Sequence, residues 1–152
     1  MKDGVIQFFD HNYQLANVKV REIVIEQDTA ITHIEREYET VDYNRSGMPI
    51  CEITTEPDIN HPEDAKLLVE ELQQTLRHLT ISRASMRGHE LRIDTNISLK
   101  RISDGFEGPR VEVVTIQRLD DLTKAINFEI VRQHEYLSNG KTFKSEDRIW
   151  DS

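Results

Sequence analysis

Apolar residues recur along this chain at two periods, and the changes of period mark its elements. VKVREIVIEQD, from Val18 to Asp28, is dense in β-branched residues and predicts a strand. Its alternation sets Val18, Val20 and Glu22 on one face and Ile23 and Ile25 on the other. That break in phase predicts a bulge or burial on both sides. ICEIT predicts a second strand, entered through a turn from Asn44 to Pro49 in which Gly47 supplies a permissive backbone. Between the two, HIEREYETVDY is charged and extended and predicts an outer strand or a loop. Residues 1–17 mix aromatics with His and Asn without a period and predict no element.

The period then lengthens. DINHPEDAKLLVEELQQTLRHLT predicts a helix, with Asn60 or His61 at its cap, Pro62 in its first turn, and Glu63 and Asp64 where the macrodipole favours acids. Ala65, Leu68, Val69, Leu72, Leu76 and Leu79 make its apolar stripe, and His78 reads as a surface residue near its carboxyl end. LRIDTNISL alternates cleanly. Leu91, Ile93, Thr95, Ile97 and Leu99 share one face, and Arg92, Asp94, Asn96 and Ser98 the other. GFEGPR is a hairpin signal before the strand RVEVVTI. LDDLTKAINFEIVRQHEYLSNG predicts a second helix with Leu119, Leu122, Ile126, Ile130 and Leu137 on one face and Asn139-Gly140 as its stop. KTFKSEDRIWDS is polar apart from Phe143, Ile149 and Trp150 and predicts no element. The sum is an α+β domain: an antiparallel sheet with helices on one face and an open polar face where function is to be sought.

Composition narrows the classes. The 152 residues fit one domain, and 37% hydrophobic with 31% charged residues is ordinary for a soluble fold. A net charge of −9 argues against broad nucleic-acid binding but leaves room for one local patch. The single cysteine, Cys51, excludes an intramolecular disulfide and reads as a small packed hydrophobe. No apolar stretch approaches the roughly 20 residues of a membrane span. MKDGVIQFFDHNY lacks a secretory core, and its acids make it a poor transit peptide.

No nucleophile triad, phosphate loop, dinucleotide fingerprint or zinc-protease motif is readable, and the six histidines show no zinc spacing. What remains is rich in carboxylates and amides. Glu26, Gln27 and Asp28 end one strand, Glu52 sits inside the next, and Arg92, Asp94 and Asn96 line a third. Such oxygens suit Mg2+ beside nucleotide phosphates, and Arg92 can grip a phosphate with two prongs. The competing reading is a solvated sheet face with cross-strand Arg–Asp pairing.

Four stretches, IEQDTA, DYNRSGMPICEITTEPD, LRIDTNISL and AINFEIVRQHEYLSNGK, resemble in order and spacing the B subunit of the glutamyl/aspartyl-tRNA amidotransferases, over about Val18 to Asp151. The resemblance implies a catalytic domain of the glutamine synthetase and guanido kinase type, using ATP and Mg2+ to phosphorylate the carboxylate of a misacylated tRNA before ammonia displaces the phosphate. It implies an A subunit that hydrolyses glutamine, a C-type or equivalent small subunit, and no membrane. Glu52 and Glu26 match the family's metal-binding acids, Gln27 stands where a second acid is usual, and Arg92, Asp94 and Asn96 match the site strand. The Glu26-Gln27-Asp28 form looks mitochondrial, against the cytoplasm for a bacterial member.

There are departures. Arg87 replaces a usual acid, and Val114-Thr115-Ile116-Gln117-Arg118 replaces a segment carrying a lysine and asparagines. The family's first strand, with its metal-binding histidine, and its helical and tail domains have no counterpart here. These departures imply that the chain alone is not competent for the whole reaction. A degenerate paralogue that binds the A subunit or tRNA is the second reading, and a small acidic metal- or nucleotide-binding domain the third.

Overall fold

The structure is a computed structural model that describes residues 4–151. Its elements are β1 (Gly4–Phe9), β2 (Leu15–Gln27), β3 (Ile31–Ile34), β4 (Glu39–Asp42), β5 (Pro49–Thr55), α1 (Pro62–His78), β6 (Ile93–Ile97), β7 (Val111–Ile116), α2 (Leu119–Ser138) and β8 (Glu146–Ile149). They fall into two compact units. One runs through Gln7 and resumes over Ala16–Asp58; the other holds Phe8–Leu15 and everything from Ile59.

The first unit is built on the sheet β1-β2-β5. The phase break in β2 is a bulge: Val20 pairs with Thr55 but Glu22 with Thr54, leaving Arg21 unmatched. Val18 and Val20 are buried ahead of it. The charged segment forms the separate hairpin β3–β4, solvated on both sides because neither strand has an apolar face to bury. Within the aperiodic start of the chain Gly4–Phe9 is also a strand, while residues 1–3 lie outside the described residues. β1 places apolar residues on both sides, which removes the alternation that would have predicted it.

The second unit packs α1 and α2 with the sheet β6-β7-β8. One core joins Ala65 and Val69 of α1, Ile97, Val113 and Ile116 of the sheet, and Leu122, Ala125 and Ile126 of α2, with Met86 from the connection. His61 caps α1 as expected, its Nδ1 accepting from the Glu63 N–H at 3.2 Å.

The expectation of one antiparallel sheet needs correcting. The strands form three small sheets, and β7 and β8 run parallel with α2 as their crossover. β8 escapes a hydrophobic pattern because its inward residue is Arg148, which reaches Glu129 of α2 at 3.7 Å. α2 likewise buries Glu129 and Gln133 beside the expected apolar stripe.

After the Asn139 cap, Gly140 adopts φ +68 with open space around its α-carbon. Gly140→Ala is therefore expected to lower stability by about 1 kcal/mol through backbone strain alone, read as a shifted urea midpoint with an unchanged slope.

Candidate functional site

In β2, regular pairing from Glu22 to Gln27 fixes which residues share a surface. Glu52 lies opposite Val24 and Glu26 opposite Ile50, so the two glutamates are diagonal neighbours on one face, about 7 Å apart at the backbone. Glu22, opposite Thr54, belongs to the same face. Gln27, opposite Pro49, falls on the other face with Ile25 and Cys51. A one-residue step reverses the side of a strand, so Gln27 does not join the two acids across that surface. Cys51 is exposed there, contrary to the packed position expected of it.

The other acids of the same two motifs hold the strands together. Asp28 accepts from Arg45 Nε at 2.8 Å, while its backbone N–H reaches the Met48 carbonyl and its carbonyl accepts from Gly47, whose φ is +79. This ties the NRSG turn to the end of β2. Glu56 takes a two-pronged bond from Arg21, at 2.9 and 3.0 Å. That bond holds the Glu56 carboxyl below its ordinary range against a smaller opposing effect of desolvation. Asp58 accepts from the Lys19 N–H at 3.0 Å. Glu26 and Glu52, in contrast, have no hydrogen-bond or ion-pair partner among the described residues. Two exposed, unpartnered carboxylates on one face are a hard donor pair of the kind Mg2+ accepts while keeping several waters.

In the second unit β6 turns Ile93, Thr95 and Ile97 toward the core and Asp94 and Asn96 outward. Asn96 pairs with Glu112, which pairs in turn with Asp147, so the outward face continues across the sheet as amide and acids. Sequence reasoning passed over Glu112 and Asp147. Glu112 was legible between the inward Val111 and Val113; Asp147 was not, because β8 itself was missed. Asp94 and Glu112 have no side-chain partner among the described residues. Arg92 is exposed one residue before the strand. Opposite Asp94 the pairing slips, and Thr115 within that bulge of β7 holds φ +68, uncommon for a β-branched residue. Glu26, Gln27 and Glu52 thus belong to the first unit, and Arg92, Asp94 and Asn96 to the second.

A second feature of this unit was not foreseen. An open cleft of about 320 Å³ between the end of α1 and the start of α2 is lined by Arg77, Arg87 and Arg118 against one acid, Asp120, with Gln73 and Gln117. Two of its arginines are the substitutions noted above as departures. They gather positive charge locally on a chain of net charge −9.

Comparison with known proteins shows the family. The family described as the GatB/GatE catalytic domain matches residues 1–152. The B subunit of the aspartyl/glutamyl-tRNA(Asn/Gln) amidotransferase of Thermomicrobium roseum is 34% identical over 152 residues, covering 97% of this chain and 31% of that protein. Its namesake from Aeropyrum pernix is 36% identical over 155 residues, covering 98% and 30%. The B subunit of the mitochondrial glutamyl-tRNA(Gln) amidotransferase of Naegleria gruberi is 34% identical over 146 residues, covering 94% and 28%. The chain spans about three tenths of the length of the curated relatives it matches.

Proposed function

This chain belongs to the GatB/GatE catalytic-domain family, and we propose that it is the ATP-using part of a tRNA amidotransferase acting in protein synthesis. The substrate is Glu carried on tRNA(Gln), or Asp on tRNA(Asn). A side-chain carboxylate oxygen attacks the γ-phosphorus of ATP and ADP leaves. Ammonia released from glutamine by a partner A subunit then attacks the activated carbonyl, and phosphate leaves to give the amide. The phosphorylation is needed because a carboxylate is a poor electrophile, and it demands that anionic charge be offset at the transferring group.

The observation that carries this reading is the division of acids within the two motifs: Asp28, Glu56 and Asp58 are engaged in holding strands, whereas Glu26 and Glu52 stand unpartnered on one face among the described residues. Glu26 and Glu52 would hold Mg2+, which supplies charge neutralisation on the phosphates when bound. Arg92 would hold an anionic group of nucleotide or substrate, and Asp94 and Asn96 would orient the reacting groups. A small C-type or equivalent subunit and the remaining length of the B subunit complete the assembly. The Glu26-Gln27-Asp28 sequence supports a mitochondrial setting, and a mitochondrial protein is among the relatives. No helix among the described residues is long and apolar enough to cross a membrane.

A second reading, a tRNA- or subunit-binding module without catalysis, draws on the arginine-lined cleft, whose charge suits phosphate. Mg2+-dependent ATP binding separates the two. Supplied with an A subunit, ATP and glutamine, the 152 residues alone are expected to leave Glu-tRNA(Gln) unconverted, because the relatives are about three times as long. ATP binding that requires Mg2+ and weakens roughly tenfold or more in Glu26→Ala supports the catalytic reading; tRNA binding without Mg2+-dependent ATP binding supports the other.

A further inference from the structure

His11 and His61 are far apart in sequence, yet their rings stack with centroids 3.9 Å apart and planes at 19°. Asp64, one turn into α1, completes the group. Its Oδ1 accepts from the His11 backbone N–H at 2.9 Å and lies 2.8 Å from His11 Nδ1. One ligating atom from each of the three lies within 4.8 Å of the other two, and among the described residues no other such group of His, Cys, Asp or Glu occurs. All three belong to the second unit.

We propose that His11, His61 and Asp64 form a binding site for a divalent transition-metal ion, zinc being the best match. The donor set decides the class: two imidazoles and one carboxylate suit zinc and its neighbours, whereas Mg2+ calls for oxygen ligands throughout. Three protein ligands with water in the remaining position is a pattern zinc adopts readily. Atoms bound about 2.0–2.1 Å from a tetrahedral ion lie roughly 3.3 Å apart, so the present spacing closes by side-chain rotation alone. His61 is exposed, so its ring can turn in this way once it gives up its bond to the Glu63 N–H.

The scaffold is already fixed on both sides. Asp10 Oδ1 accepts from the Asn12 and Gln14 backbone N–H groups at 2.8 Å each, setting the loop that carries His11. The N-cap and first turn of α1 carry the other two ligands. The positive end of the α1 dipole opposes a cation, but Glu63 and Asp64 offset it. Binding through His11 Nδ1 moves its proton to Nε2, where Asn12 stands at 3.0 Å and can turn its amide oxygen to accept it. Binding through Nδ1 of His61 releases the bond that now caps Glu63.

The test is calorimetric titration of Zn2+ into the 152-residue chain at neutral pH, with Co2+ absorption as a second probe of coordination. One site of micromolar affinity is expected, unaffected by millimolar Mg2+ and weakened in acid, where protons compete for the ligands. His11→Asn and His61→Ser should each weaken it roughly tenfold or more. Serine retains an N-cap acceptor, so α1 keeps its start and the metal-free variant should melt like the parent. Zinc should raise the melting temperature of the parent more than that of His61→Ser. Equal zinc affinity in parent and both variants, or no binding at submillimolar zinc, would overturn the assignment.

Discussion

Glu129→Ala is expected to destabilise the protein by about 3–5 kcal/mol, the cost of removing one partner from a buried ion pair. Glu129 is 1% exposed and accepts from Arg132 at 2.8 and 2.7 Å and from Gln133 at 2.8 Å, while Arg148 approaches it at 3.7 Å. Without the carboxylate, the half-buried Arg132 and Arg148 keep Glu146 as their one carboxylate partner among the described residues, and the Gln133 amide, itself fully buried, loses one acceptor. The same group sets an acid limb. Desolvation pushes the Glu129 carboxyl up, but the bonds from Arg132 and Gln133 and the two arginine charges outweigh it and hold the group below its ordinary value. A depressed folded-state pKa contributes stability that is fully present above the unfolded value, about 4.3, and is lost as pH falls through the folded one. Urea midpoints of the parent should therefore fall below about pH 4.3 more steeply than those of Glu129→Gln. Parallel pH profiles would show that the carboxylate is not held as described.

This network marks where sequence reading stops. Both helices were legible from their apolar stripes and caps, because burial there repeats every three to four residues and His61, Pro62 and Gly140 punctuate it. β8 was not, since a four-residue strand whose inward side chain is Arg148 has no apolar signature and depends on Glu129, distant in sequence, to be buried at all. β1 was missed for the opposite reason, being apolar on both sides. The bulge in β2 was readable as a break of phase, but its consequence for Gln27 was not. Which face a residue joins depends on the register with β5, and register is a property of two strands. The pairing of His11 with His61 is equally invisible to spacing, because it is made by a loop folding onto a helix end.

Glu52→Ala should have the largest functional effect. Within a complete amidotransferase carrying this domain, losing the carboxylate proposed to hold Mg2+ is expected to lower ATP-dependent amidation on the order of 10²–10³-fold, through weaker neutralisation of the transferring phosphoryl group. Stability should barely change, since Glu52 is exposed and has no partner among the described residues. Amidation at the parental rate in Glu52→Ala would remove this residue from the mechanism. Gln27→Ala is the internal contrast. It alters a neighbour in the same motif that points to the opposite face of β2, so it should leave metal-dependent steps near parental levels.

The most direct test is calorimetric titration of ATP, with and without Mg2+, into the parent chain, Glu52→Ala and Gln27→Ala. The account predicts Mg2+-dependent binding in the parent, about the same in Gln27→Ala, and weaker by roughly tenfold or more in Glu52→Ala. Binding that ignores Mg2+, or that Gln27→Ala damages while Glu52→Ala does not, would contradict it.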